Sequence, residues 1–238
     1  MASQSISFIH QCYQQPIACR YALECIRKIY KDRPIFLYND GGDTSHEYIA
    51  KTIPNVFYQY CERVSELDCG NYPYSTSSAL KYFQRVQDTL DKTDSEFLMI
   101  MEDDVHIFKE IDLESLKYDL NGGHSMSHGD KINNYTKWWE HNTEQLHSGF
   151  GGTILRTSFF RRVLKDTQLS THLDIFFRDL RPGPAGSDLL LTFITYVYGG
   201  TVGRYFGLCE KNWPEYSRRV AENSIHVLHQ CKEYYKKL

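Results

Sequence analysis

Phe97-Leu98-Met99-Ile100-Met101-Glu102-Asp103-Asp104 is the stretch on which the reading of this chain turns. Five apolar residues in a row describe a strand buried on both faces, as in the middle of a parallel sheet. The run stops abruptly at three carboxylates. Side chains alternate along an extended chain, so Glu102 and Asp104 share one side and Asp103 takes the other. Open α/β sheets bind ligands at the carboxyl ends of their strands. Paired carboxylates at such a place repel unless a cation joins them, and oxygen ligands of this kind suit Mg²⁺ or Mn²⁺. The competing reading is a solvated acidic turn, and the elements around the strand weigh against it.

Upstream, strands and helices alternate. Ser5 to His10 reads as a first strand and is followed by the polar loop Gln11-Cys12-Tyr13-Gln14-Gln15-Pro16. Ile17, Tyr21, Cys25 and Ile29 recur with helical spacing across 17–30. A second strand, 35–38, stops at Asn39-Asp40-Gly41-Gly42; a brief helix over 46–51 and a third strand over 56–60 follow. Ser77 or Ser78 caps a helix to about Leu90, with Ala79, Phe83, Val86 and Leu90 on one face. Alternation over about 100 residues predicts a right-handed, mostly parallel sheet. Downstream the pattern loosens. Residues 121–134, rich in Gly, Ser, His and Asn, read as a long loop. Then come a turn at Gly149-Phe150-Gly151-Gly152, a strand over 153–155, helices over 158–164 and 188–198, and a basic helical tail over 220–238.

Composition sets the outer bounds. The 238 residues suit one large α/β domain, and 41% hydrophobic content supplies its core. A formal charge of -3 gives no reason to expect a nucleic-acid partner. No apolar stretch approaches the roughly 20 residues that span a bilayer. The start of the chain lacks the marks of a signal peptide, so a cytoplasmic location is expected. Seven cysteines without a Cys-x-x-Cys pair read as reduced packing residues, neither a disulfide framework nor a zinc site. Aromatic content (18 Tyr, 13 Phe, 3 Trp) suits a sugar-binding cleft but equally fills half-buried positions. Two nucleotide-binding motifs are excluded: no Gly-x-Gly-x-x-Gly follows the first strand, and no Gly-x-x-x-x-Gly-Lys-Ser/Thr occurs anywhere.

A first strand with a polar loop, a second ending in Asn39-Asp40-Gly41-Gly42 and a fourth ending in Glu102-Asp103-Asp104 together resemble the GT-A glycosyltransferases. The acidic triplet resembles that family's DXD motif. The likeness covers about residues 5–108 well and 145–230 loosely. It is closer to the small soluble transferase modules of bacteria and large algal DNA viruses than to membrane-anchored Golgi enzymes. It implies an α/β GT-A (Rossmann-like) single domain over 1–238, a mixed, mostly parallel central sheet flanked by helices. About 1–108 would form the nucleotide-sugar half, and about 109–238 the acceptor half with a C-terminal helix.

The resemblance also implies roles. Asp104 would bind Mn²⁺ (or Mg²⁺) directly, and Glu102 would reach the ribose or the metal shell, with Asp103 beside them in the donor site. The metal would bridge the diphosphate of a UDP-sugar and stabilise the leaving group as the glycosidic bond breaks. Asp40, with Asn39 beside it, resembles the acidic residue that accepts a hydrogen bond from the base; a plain turn is the alternative. His10 and Gln11 would line the nucleotide pocket. Lys81 would meet a phosphate, unless it is simply a solvated helix lysine. Gly151 and Gly152 would let backbone approach the donor sugar, against an ordinary turn. Asp188, at a helix start after Arg181-Pro182-Gly183-Pro184-Ala185-Gly186, matches the place of the family's catalytic carboxylate, with helix capping as its competitor and Glu210 as the reserve.

Among the histidines, His226 loosely matches the C-terminal histidine that completes the family's metal shell, although a surface position on a terminal helix competes. His124 and His128 stand four apart, a zinc spacing on a helix, but the glycines around them favour a loop near the acceptor. Trp138 or Trp139 would stack on a sugar, unless both pack inward.

The expected activity is therefore an inverting transfer of a sugar from UDP to a glycan hydroxyl. Its rivals are a metal-dependent hydrolase or phosphotransferase on another α/β fold and a non-catalytic carbohydrate-binding protein on a transferase fold.

Overall fold

The computed structural model describes residues 5–63, 75–122, 124–125, 146–147, 151–180 and 186–232. Its first half follows the alternation: β1 (Ile6–Cys12), α1 (Pro16–Ile29), β2 (Ile35–Asn39), α2 (Ser45–Thr52), β3 (Val56–Tyr60), α3 (Thr76–Lys92) and β4 (Phe97–Met101). Pro16 sits in the first turn of α1, where its missing N–H costs nothing and its fixed φ suits a helix. α3 begins earlier than predicted. Its cap is Ser75, whose hydroxyl accepts from the Ser78 amide at 3.2 Å, so Ser77 and Ser78 lie inside the helix.

The second half adds β5 (His106–Ile107), β6 (Leu120–Gly122), β7 (His124–Ser125), β8 (Leu146–His147), β9 (Ile154–Arg156), α4 (Thr157–Leu164), α5 (Leu169–Ile175) and α6 (Gly186–Val197). It closes with β10 (Val202–Arg204), β11 (Leu208–Glu210), α7 (Tyr216–Ala221) and β12 (Val227–His229). Seven strands form the main sheet in the order β10-β6-β9-β4-β1-β2-β3. β1, β2, β3 and β4 run parallel, while β9 lies antiparallel between β4 and β6. β4 occupies the centre, and its side chains divide between two cores. Leu98 and Ile100 face the layer of α3, α4, α5 and α6; Phe97, Met99 and Met101 face the layer of α1 and α2. A core on each face is the reason a strand here needs an unbroken apolar run.

Two further sequence expectations fail. The loop predicted over 121–134 opens with strand residues, because Leu120–Gly122 is held between β9 and β10. The tail is not a helix from Val220 onward. α7 ends at Ala221, and the chain returns as β12, parallel to β11 and antiparallel to β5 in a second, three-stranded sheet. No helix among the described residues is long and apolar enough to cross a membrane.

Candidate metal centre

The small sheet makes the site. β5 follows the acidic turn directly, and its antiparallel pairing with β12 carries the chain from Val227 back over that turn. The Cys231 amide then donates to the Asp104 carbonyl at 3.0 Å, fixing the crossing. His229 is thereby placed against the carboxylates. Its Nε2 stands 3.4 Å from Glu102 Oε2 and 3.5 Å from Asp104 Oδ1. One ligand atom from each of these residues lies within 4.8 Å of the others. Asp103, between them in sequence, turns the other way and accepts a hydrogen bond from His10 Nε2 at 2.9 Å.

The ring of His229 is oriented from behind. β11 and β12 pair in parallel with Glu210 opposite His229, and His229 Nδ1 donates to Glu210 Oε1 at 3.0 Å. A proton held on Nδ1 leaves Nε2 as the lone-pair nitrogen facing the carboxylates, the arrangement that metal-binding histidines commonly require. Gly151 closes one side: a Cβ there would meet His229 Nε2 at 2.5 Å, so only glycine lets the backbone pass the ring.

Burial opposes charging His229, but Asp104, Glu102 and Glu210 outweigh it and raise its pKa well above 6.5. Burial likewise works to raise the Asp104 pKa, yet His229 and Lys232 hold it below its ordinary value. Lys232 Nζ is 3.7 Å from Asp104 Oδ2. A proton on His229 and the lysine thus stand where a cation would neutralise two carboxylates. Two oxygens and one imidazole nitrogen suit Mn²⁺, which accepts both donor types, better than the all-oxygen preference of Mg²⁺. The donor set fits a divalent ion.

Other predicted site residues fall differently. His226 is not part of the cluster: its Nδ1 lies 2.7 Å from the Glu110 carbonyl and 3.2 Å from the Tyr205 hydroxyl. It stands three residues before His229, and in an extended chain that spacing puts the two rings on opposite faces. His10 is fully buried, with its Nε2 against Asp103. Asn39 is equally enclosed. Its Nδ2 donates to the Asp43 carbonyl (2.8 Å) and the Tyr58 hydroxyl (3.0 Å), and its Oδ1 accepts from the Gly42 amide (2.8 Å). It builds the turn and has no donor left for a base.

Asp40 is 3% exposed and receives Arg85 Nη2 at 2.6 Å. The same guanidinium donates to Gln11 Oε1 (2.6 Å) and the Glu62 carbonyl (2.8 Å), tying the ends of β1, β2 and β3 to α3. Arg85, unremarked in the sequence, organises this corner; its helical register beside Phe83 and Val86 gives no hint of it. Gly152 packs against Leu208 and Val227 of the small sheet. Lys81 is exposed, 3.9 Å from Glu62. The Asp188 backbone lies in the first turn of α6, while its side chain falls outside what is described. Gly149, His128, Trp138 and Trp139 lie outside the described residues, and His124 is known only as a residue of β7.

A cleft lined by Tyr13, Gln14, Gly41, Gly42 and Asp43 lies at the carboxyl ends of β1 and β2. The Arg63 guanidinium sits 4.1 Å from the Tyr13 ring centroid. Gly42 is required here, since a Cβ would fall 1.8 Å from the Tyr13 carbonyl oxygen. This cleft and the carboxylate cluster lie along one sheet edge, bridged where His10 of β1 meets Asp103 after β4.

No protein-family model matches the sequence, and no curated protein matches it. Solved structures do resemble the fold. A galactosyltransferase, LgtC, in complex with donor and acceptor sugar analogues superposes with a TM-score of 0.61 at 12% identity, over 94% of this chain and 87% of that one. The glycosyltransferase GlyE of Streptococcus pneumoniae superposes with a TM-score of 0.54 at 10% identity, over 99% of this chain but 60% of that one. At such identities the shared property is the fold, and it is the GT-A fold.

Proposed function

We propose that this chain is a metal-dependent glycosyltransferase that moves a sugar from a UDP-sugar to a hydroxyl of a glycan acceptor. The observation that carries the reading is the convergence of Glu102, Asp104 and His229 at the end of the central strand. The fold shared with LgtC, whose structure holds donor and acceptor sugar analogues, supports it. Glu102, Asp104 and His229 would hold Mn²⁺. When bound, the cation supplies Lewis-acid stabilisation of the charge that develops on the departing diphosphate.

The chain's own residues do the rest. Glu210 keeps the Nε2 lone pair of His229 aimed at the site. Lys232, 3.7 Å from Asp104, would add positive charge beside the diphosphate. The cleft at Tyr13 and Asp43 offers space for the nucleoside along the same edge. Asp188 would take the proton from the acceptor hydroxyl as it attacks the anomeric carbon, which gives inversion. Residues up to about 108 form the donor half in this scheme, and those beyond it supply acceptor contacts as well as His229.

Thermal unfolding with nucleoside diphosphates tests the reading. At about a hundredfold excess over its Kd, UDP with Mn²⁺ should raise the Tm by about 5–10 °C, and UDP without metal should do far less. Equal responses with and without Mn²⁺ would remove the metal from the reading. No response to any nucleoside diphosphate would remove the transferase.

A further inference from the structure

A second cluster of metal-ligating side chains lies under the sheet edge and has no part in the chemistry above. Cys12 ends β1, Cys19 lies in α1 and His46 in α2, and one ligand atom from each falls within 4.8 Å of the others. All three residues are buried, at 2%, 0% and 0% exposure. We infer that Cys12, Cys19 and His46 form a structural zinc site, with His10 supplying the fourth ligand.

Two buried atoms point to a ligand rather than to simple packing. His46 Nδ1 donates to the Asp43 carbonyl at 2.6 Å, which leaves Nε2 as the lone-pair nitrogen; Nε2 is buried and has no hydrogen-bond partner. His10 repeats the pattern. Its Nε2 donates to Asp103 at 2.9 Å, and its Nδ1 is buried and unpartnered. In both rings one nitrogen is tied to an oxygen acceptor and the other is left without a partner, an arrangement common among metal-ligating histidines. A buried nitrogen without a partner is costly, and coordination would satisfy both. The strand places His10 and Cys12 on one face, two residues apart. His10 also shares a grouping with Cys19 and Asp103, again within 4.8 Å. Two sulfurs and two imidazoles are a common tetrahedral set for Zn²⁺.

Burial works to raise the Cys12 pKa, but the neighbouring Cys19 and His46 bring it down to about 6, toward the thiolate that binds metal, while Cys12 and burial hold the Cys19 thiol well above its ordinary value. Such an ion would pin β1 to α1 and α2, the layer that carries the cleft loops. It would be held independently of any nucleotide or of the Glu102 cluster.

The full-length protein, purified from zinc-supplemented cells and dialysed, should carry one zinc per chain by mass spectrometry. The Asp104→Ala variant should keep it, and Cys19→Ser should lose at least tenfold in zinc affinity. Because Cys19→Ser threatens folding, replacement of zinc by Co²⁺ in the unaltered chain gives an independent reading: thiolate-to-cobalt charge transfer together with tetrahedral ligand-field bands. His46→Gln should change the ligand-field bands while charge transfer persists. The inference is overturned if the unaltered chain holds no zinc after reconstitution, if Cys12 and Cys19 are found as a disulfide, or if zinc leaves with Asp104→Ala and stays in Cys19→Ser.

Discussion

Two strand ends in this molecule look alike in sequence and differ in what surrounds them. After β2 the chain runs Asn39-Asp40-Gly41-Gly42; after β4 it runs Glu102-Asp103-Asp104. Each places acidic side chains at the carboxyl edge of a parallel sheet. At the first, the polar groups are consumed internally: Asn39 by its own turn and Tyr58, Asp40 by the buried Arg85. At the second, Glu102 and Asp104 are balanced by His229 at 3.4 and 3.5 Å and by Lys232 at 3.7 Å, loose contacts that a cation can replace. An acidic strand end is open to a cation when its charge is only loosely paired within the fold. Where a guanidinium already fills the space, the same residues hold the scaffold together.

That contrast can be broken first at Arg85. Removing one partner of a buried ion pair leaves the other charge stranded, so Arg85→Ala should lose about 3–5 kcal/mol of folding stability in denaturant titrations. Little or no loss would mean that the Asp40 corner is not scaffold. Asp104→Asn should behave in the opposite way. It removes a candidate ligand and should weaken Mn²⁺-dependent UDP binding by more than the about 10–100-fold typical of outer-sphere partners, with a smaller loss of folding stability than Arg85→Ala because the contacts of Asp104 are looser. Preserved metal dependence in that variant would exclude Asp104 as a ligand.

Glu210→Gln sharpens the second corner further. An amide can still accept from His229 Nδ1 but no longer supports the ring with charge, so the loss of Mn²⁺ affinity should fall in the about 10–100-fold range. A loss as large as that of Asp104→Asn would make Glu210 a ligand instead. The smallest effect is on pH. His229 has a folded pKa above its unfolded value, so its contribution to metal-free stability is full below about 6.5 and fades as pH rises through the raised value. Metal needs Nε2 without its proton, so the Mn²⁺-UDP shift in Tm should grow with pH over the same interval. A shift that shrinks toward high pH would place His229 outside the metal shell. Asp104 contributes in the reverse sense: its stabilisation is present above its ordinary value of 3.8 and is lost as pH falls through the lowered one.

Much of this was legible from local pattern. The apolar run of β4 and the spacing of α1 and α3 reflect burial that each segment imposes on its own residues, and the acidic triplet follows directly. The missed elements are short ones stabilised from outside. β12 has three residues, too few for a period to show, and its strand state comes from pairing with β11 and β5. The alternation of Ile225, Val227 and His229 with His226 and Leu228 was the available signal, and it would have separated the two histidines by face.

By itself the sequence determined the α/β alternation, the central doubly buried strand and the carboxylates at its end, because hydrophobic periodicity and turn chemistry act within a few residues. Tertiary structure alone decided which groups those carboxylates meet. His229 comes from 125 positions beyond Asp104, Arg85 reaches Asp40 from another element, and Cys12, Cys19 and His46 gather from a strand and two helices. Partners of that kind are selected by chain crossings and by the cost of burying charge unpaired, and neither leaves a trace in local spacing.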